Sequence, residues 1–229
     1  LFIQYVKEHL ILTFYTTSKE VGGDLYDFYM DGNHLYFLIG DVSGKGVPAS
    51  LFMAITRSLF RTLSQHVLSP AKIVTEMNNS ISDNNESNMF VTLIVGILDL
   101  ETGILKLCNA GHNPPILIYP DGQVSYLEFK TQIFVGVVED FKYSDEEVVL
   151  EKESKLFLYT DGVTEAENIN KELYGEEKLL GMLSDNASSD VRTTVNVVVD
   201  SIASHVKEAE ASDDLTILLI QYEPGTANS

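Results

Sequence analysis

Cysteine is nearly absent: the chain has one, Cys108, in 229 residues. A single thiol excludes an internal disulfide and fits a reducing compartment. Cys108 lies in the apolar run Ile104 to Cys108, where it reads as a small buried residue. Positive charge is also scarce, with 15 Lys and Arg against 34 Asp and Glu and a net charge of −19. That balance argues against a nucleic-acid surface or an anionic membrane surface. A solvated acidic exterior accounts for most of it, and bound metal is open as an offset for the rest. No apolar run reaches the ~20 residues needed to span a bilayer. No charged-then-apolar leader is visible, so a cytoplasmic setting without direct membrane contact is expected. The five histidines are scattered, and neither a Gly-x-Ser-x-Gly elbow nor a Cys/His pair offers a covalent nucleophile.

What is present describes a globular chain, at 45% hydrophobic and 21% charged residues, long enough for one large or two small domains with a real core. Val21 to Ser50 organises the reading. Leu25, Phe28, Leu35, Phe37 and Ile39 lie in two short runs joined by Asp31-Gly32-Asn33, a hairpin signal. From Pro48 the period changes: Leu51, Ile55, Leu59 and Leu63 recur every four residues, which predicts an amphipathic helix with that stripe inward. Ser69-Pro70 predicts an N-cap and a second helix through Ile81. Leu1 to His9 reads as the tail of a linker helix and Leu10 to Tyr15 as a first strand. Hairpins follow at Phe90–Leu98 with Ile104–Cys108, Ile116–Tyr119 with Val124–Leu127, and Val148–Leu150 with Leu156–Tyr159. A helix over Gly175–Leu183, another capped by Ser189 and running to Val206, and a closing strand at Leu215–Tyr222 complete the chain. Meandering strands with segregated helices predict an α+β fold, two antiparallel sheets packed together with helix pairs outside. No internal boundary is visible. Residues 10–222 are expected to form one domain, 1–9 a linker or the end of an upstream element, and 223–229 a frayed tail.

Four aspartate sites share one setting, the end of an apolar strand. Asp24 enters the first hairpin and Asp41 leaves it, so an antiparallel pair puts them at the same end. Asp161 ends the run Leu156 to Thr160, and Asp213-Asp214 precedes Leu215 to Leu218. Two carboxylates about 5 Å apart repel by roughly 3 kcal/mol at an effective dielectric near 20, so a cation is expected near the hairpin pair. Singly, each aspartate is more often a turn or cap residue, and Asp31-Gly32 and Asp121-Gly122 are read as turns outright. Together they point to a metal site, and oxygen ligands alone select Mg²⁺ or Mn²⁺. His112, in Ala110 to Pro115, is explained more simply by a turn made rigid by two prolines. Gly40 to Gly46 resembles a phosphate loop but has three residues, not four, between its first glycines, and Gly46 stands where Ser or Thr would bind Mg²⁺. Val21 to Leu25 resembles the diguanylate cyclase signature, except that Leu25-Tyr26 replaces its Glu-Phe.

Five motifs in series, Val21–Asp27, Gly40–Gly46, Asn109–Pro115, Tyr159–Ala166 and Asp213–Thr216, resemble the metal-dependent Ser/Thr protein phosphatases of the PPM family, in the SpoIIE/RsbU-type branch. The resemblance covers Leu10 to Tyr222. It implies a sandwich of two antiparallel sheets flanked by helix pairs and a centre with two divalent ions, Mn²⁺ or Mg²⁺. In that centre Asp41 would bridge both ions, the Val42 carbonyl would complete one, and Asp24 would lie on that ion's side. Asp161 and Asp213 would hold the other, with Asp214 the lesser candidate. Asp41 and Asp161 would then act through metal-activated water. The substrate implied is phosphoserine or phosphothreonine on a partner protein, an anti-sigma-factor antagonist with a STAS fold, under an upstream sensor domain; a homodimer is left open by the sequence. The phosphate-binding arginine of the eukaryotic branch has no counterpart before Gly22. Lys19 and Lys45 are the nearby cations, and Lys45 reads equally as a solvated loop residue. Gly44, Gly46 and Pro48 link Asp41 to the following helix and make it a candidate switch. Two rivals remain open: a catalytically dead module that binds a phosphoprotein or metal, and a two-metal phosphodiesterase, which the −19 charge disfavours.

Overall fold

The computed structural model describes residues 22–83, 85, 88–209 and 213–224 in full, and the backbone of 2–6 and 9–16. Its strands are β1 (Phe2–Val6), β2 (His9–Thr16), β3 (Asp24–Asp31), β4 (His34–Val42), β5 (Val91–Asp99), β6 (Ile104–Ala110), β7 (Ile116–Ile118), β8 (Val124–Tyr126), β9 (Glu146–Val149), β10 (Lys155–Tyr159) and β11 (Leu215–Gln221). The helices are α1 (Val47–Leu63), α2 (Pro70–Ser82), α3 (Glu176–Asp185) and α4 (Val191–Val206). They make an α+β fold with two antiparallel sheets, ordered β1-β2-β11-β10-β7-β8 and β3-β4-β5-β6-β9. Each sheet with its own helix pair forms a compact unit, and the two units are interleaved along the chain, which is why no single boundary shows in the sequence.

In the five-stranded unit, α1 and α2 pack on Tyr36 and Leu38 of β4, Leu93, Val95 and Ile97 of β5, and Cys108 of β6. Phe60, Ile73, Val74 and Met77 from the helices fill that layer, each 1% exposed or less. Burial of each such side chain contributes about 1.5–3 kcal/mol. In the six-stranded unit, α3 and α4 cover Phe157 and Tyr159 of β10 and Ile217 and Leu219 of β11 with Leu179, Leu183, Val191, Val195 and Val198. Lys155, 6% exposed, donates to the carbonyls of Ala187 and Ser189 and so ties β10 to the α3–α4 connection. Burial lowers the Lys155 pKa, against the raising influence of Asp190.

Four local expectations are corrected. Residues 2–6 form a strand paired with β2, not the end of a linker helix. The runs at 148–150 and 156–159 do not pair with each other: β9 pairs with β6, while β10 pairs with β7 and β11. The N–H of Leu150 is taken by Gly103 and the carbonyl of Ser154 by Tyr222, so each run finds its backbone partners in a different sheet. The cap of α4 is Asp190, whose carboxylate accepts from the Thr193 amide at 3.0 Å, in place of Ser189. Lastly, α1 buries Ala49, Thr56 and Phe60, with Phe52, Met53 and Leu59 packed beside them. Val47, Leu51 and Ile55 face outward at 65%, 62% and 56% exposure. A repeat of four drifts about 40° around a helix at each step, so Leu51 to Leu63 cannot share one face. Leu51→Ser is therefore expected to change stability by less than about 0.5 kcal/mol in a urea melt; a loss of ~2 kcal/mol or more would show that this face is covered.

Candidate metal centre

The hairpin turn fixes the first carboxylate pair. A two-residue loop, Gly32-Asn33, closes β3 on β4, and counting back from it sets Asp24 directly opposite Asp41. Asp24 is 3% exposed, and Asp41 is half-buried. Gly23 marks where an Asp41 carboxylate oxygen and the Val42 carbonyl oxygen converge. A Cβ added there would lie 2.9 Å from the Val42 carbonyl oxygen and 3.3 Å from Asp41 Oδ1, so only a residue without a side chain leaves that point open. The strand end is held from both sides. Val42 N–H donates to Gly23 O at 3.3 Å and Ser43 N–H to Phe90 O at 2.8 Å, and Ser43 Oγ accepts from the Phe90 amide at 2.9 Å. Ser50, in the first turn of α1, reaches the carbonyls of Gly22 and Gly46 at 3.1 and 3.0 Å. Gly44 and Gly46 both have positive φ, 89° and 81°, and Lys45 between them is exposed. Lys19 lies outside the described residues.

The second group forms in the other unit. Thr160 N–H donates to Thr216 O at 3.1 Å, and Thr216 N–H to Thr160 Oγ1 at 3.0 Å, which carries the β10–β11 pairing one step past Tyr159. Asp161 then opens a 3₁₀ turn over residues 161–163, and its carbonyl accepts from the Glu165 amide at 2.7 Å. That turn packs on Asp214: a Cβ on Gly162 would lie 1.8 Å from the Asp214 carbonyl oxygen. Asp214 is 4% exposed, while Asp213 is exposed and accepts from the Asp214 amide at 2.9 Å. Asp161 is thereby brought beside the Asp213-Asp214 pair, as Asp24 is brought beside Asp41.

The donors fit a hard divalent cation: carboxylates and a carbonyl, with opposed carboxylates whose repulsion a cation offsets. Among the described residues, no group of three or more His, Cys, Asp or Glu side chains could by itself hold a metal ion. His112, 4% exposed, is not a bystander in its turn: its Nδ1 is 2.9 Å from Thr92 Oγ1, and Thr92 is the β5 partner of Asp41.

One feature is only half visible in the sequence. Asp27 is 4% exposed and receives a two-pronged bond from Arg61, Nε to Oδ2 at 2.6 Å and Nη2 to Oδ1 at 2.5 Å, plus Arg57 Nε at 3.1 Å. Arg61 also donates to the Phe28 carbonyl at 2.9 Å and lies 4.6 Å over the Tyr29 ring, which stacks on Tyr36. Burial pushes the Asp27 pKa up, but the hydrogen bonds and charges of Arg61 and Arg57 outweigh it and hold the carboxyl below its usual range. This clamp fastens α1 to the strand that begins with Asp24. The signal was there, since arginines four apart share a helix face; its partner was not, because Asp27 reads as one more strand residue.

Comparison with known proteins fits this architecture. The SiaA PP2C domain of Pseudomonas aeruginosa superposes with a TM-score of 0.84 at 21% identity, covering 93% of this chain and 86% of that domain. The fold is that of the PP2C-type (PPM) phosphatase domains. The family model described as Stage II sporulation protein E (SpoIIE) matches residues 31–223, and the chain belongs to that family. Phosphoserine phosphatase RsbU of Bacillus subtilis is 26% identical, over 89% of this chain and 60% of RsbU. Phosphoserine phosphatase RsbP of the same organism is 28% identical, over 92% of this chain and 52% of RsbP. The chain thus spans only half to three-fifths of the length of these relatives. Among its described residues, no helix is long and apolar enough to cross a membrane.

Proposed function

We propose that the chain is a divalent-metal-dependent phosphatase domain that hydrolyses phosphoserine or phosphothreonine on a partner protein. The observation that carries this reading is the convergence of Asp41 Oδ1 and the Val42 carbonyl at Gly23, with Asp24 opposite Asp41, in a member of the SpoIIE family. Asp24, Asp41 and the Val42 carbonyl would hold one ion, and Asp161 with Asp213, or less favourably Asp214, a second. Bound Mn²⁺ or Mg²⁺ would supply a water of lowered pKa and offset phosphoryl charge. The protein's own part is to hold hard oxygens at two rigid strand ends, and no covalent nucleophile is required. Lys45, exposed on its glycine-flanked loop, and Lys19 are the candidate phosphate contacts. Gly44, Gly46 and Pro48 join Asp41 to α1, so a movement of α1 would be felt at that ligand. A STAS-fold anti-sigma antagonist as substrate, an upstream regulatory element, a cytoplasmic setting and a possible homodimer complete the proposal; named phosphoserine phosphatases among the relatives support its substrate class.

The test is p-nitrophenyl phosphate turnover with EDTA, Mg²⁺ or Mn²⁺, for the wild type and Asp161→Asn. Turnover should require metal and fall by more than about 100-fold in the variant, since even outer-sphere changes cost ~10–100-fold. Full turnover in EDTA, or an unimpaired Asp161→Asn, would overturn the reading. Metal binding by calorimetry without turnover would favour a binding module instead.

A further inference from the structure

Asn109 and His112 show more construction than a proline-stiffened turn needs. The Asn109 side chain, 2% exposed, donates through Nδ2 to the His112 carbonyl at 3.0 Å and accepts from the His112 amide at 2.8 Å. That pair of bonds fixes the backbone of His112 on both sides. A parallel bridge between Leu93 and Gly111 sets the same loop against β5. The imidazole is thereby delivered to Thr92, with Nδ1 2.9 Å from Oγ1.

Thr92 faces Asp41 across the β4–β5 ladder, and its hydroxyl donates to the Asp41 carbonyl at 3.5 Å, the outer edge of hydrogen-bond reach. A threonine hydroxyl has one hydrogen. With that hydrogen on Asp41 O, the bond to the imidazole must run from His112 Nδ1–H to Thr92 Oγ1. The result is a directed chain, His112 to Thr92 to the Asp41 peptide. It acts on the peptide link between Asp41 and Val42, the two residues whose oxygens converge at Gly23.

We infer that Thr92 and His112 are positioning residues for the Asp41–Val42 end of the metal centre: they fix the rotation of that peptide, and with it the aim of the Asp41 carboxylate and the Val42 carbonyl. The inference rests on the proposed role of Asp41 as a metal ligand. Groups that orient ligands from behind cost ~10–100-fold in metal affinity when removed.

Calorimetric titration of the full chain with Mn²⁺, alongside thermal melting without metal, tests it. Thr92→Val keeps shape and strand preference but has no hydroxyl, and should bind Mn²⁺ about 10–100-fold more weakly with little change in melting temperature. Thr92→Ser restores the hydroxyl and should recover most of the affinity. His112→Asn, which keeps a donor near the Nδ1 position, should likewise exceed His112→Leu, and this second pair decides the matter if Thr92→Val does not fold. Mn²⁺ affinity in Thr92→Val or His112→Leu within about twofold of wild type overturns the inference, as does a serine variant no better than valine. Asp41→Asn separates the two layers. If it too binds Mn²⁺ as wild type, the metal reading itself fails; if it alone loses binding, only the positioning roles fail.

Discussion

Gly162→Ala is expected to destabilise the protein by on the order of 3 kcal/mol or more and to abolish metal-dependent turnover. The added methyl would lie 1.8 Å from the Asp214 carbonyl oxygen and 2.9 Å from its carbon. Both are backbone atoms of the residue just before β11, so no side chain can swing aside. Relief requires either the 161–163 turn to lift or Asp214 to leave its buried position, and each movement parts Asp161 from the Asp213-Asp214 pair. Gly32→Ala is the matched control. Gly32 has φ 61° but nothing within 4 Å of its Cβ position, so it should cost only the ~1–2 kcal/mol of a left-handed residue and leave turnover intact. For a chain of this size, Gly162→Ala should lower the melting temperature by roughly 6–12 °C. A shift below about 3 °C with full activity would mean that Asp161 and Asp214 are not held in register by this contact.

The Asp24–Asp41 pairing was legible in the sequence because a hairpin turn and a period of two fix register by counting, and both lie within 20 residues of each other. The caps at Ser69 and the starts of α2 and α3 were legible for the same reason: their causes are local. The face of α1 was not, since Leu51 and Ile55 carry the hydrophobicity of a core stripe while the packing of Phe60 and Ala49 decides which side is inside. Strand partnership escaped wherever it is non-local. Nothing in Glu146–Val149 says that its neighbour is β6 and not the next strand in sequence. The Asp27 clamp belongs to this class. Its members are 30 and 34 residues apart, and only the docking of α1 on β3 brings them together.

That clamp should give stability an unusual dependence on pH. The depressed pKa of Asp27 means that its ion pairs add stability above the unfolded aspartate value near 3.9, and that this is lost as pH falls through the lower folded value. Replacing both arginines, in Arg57→Met/Arg61→Met, leaves a carboxylate that is 4% exposed with burial as the dominant influence, which pushes its pKa up. The sign then reverses: the variant is penalised at neutral pH and regains stability as acid neutralises Asp27. The neutral-pH loss should be about 2–4 kcal/mol, below the ~3–5 of a fully buried pair because the two guanidiniums are 55% and 44% exposed. Urea midpoints of wild type and variant, measured from pH 8 down to pH 4, should converge as pH falls, since the other acidic groups act on both proteins alike. Asp27→Asn in the Arg57→Met/Arg61→Met background removes the charge and should cancel most of the neutral-pH loss. A gap that stays constant across that range would show that the arginines act through the packing of their stems on Tyr29 and β3, and that the charge on Asp27 is immaterial to how α1 is held.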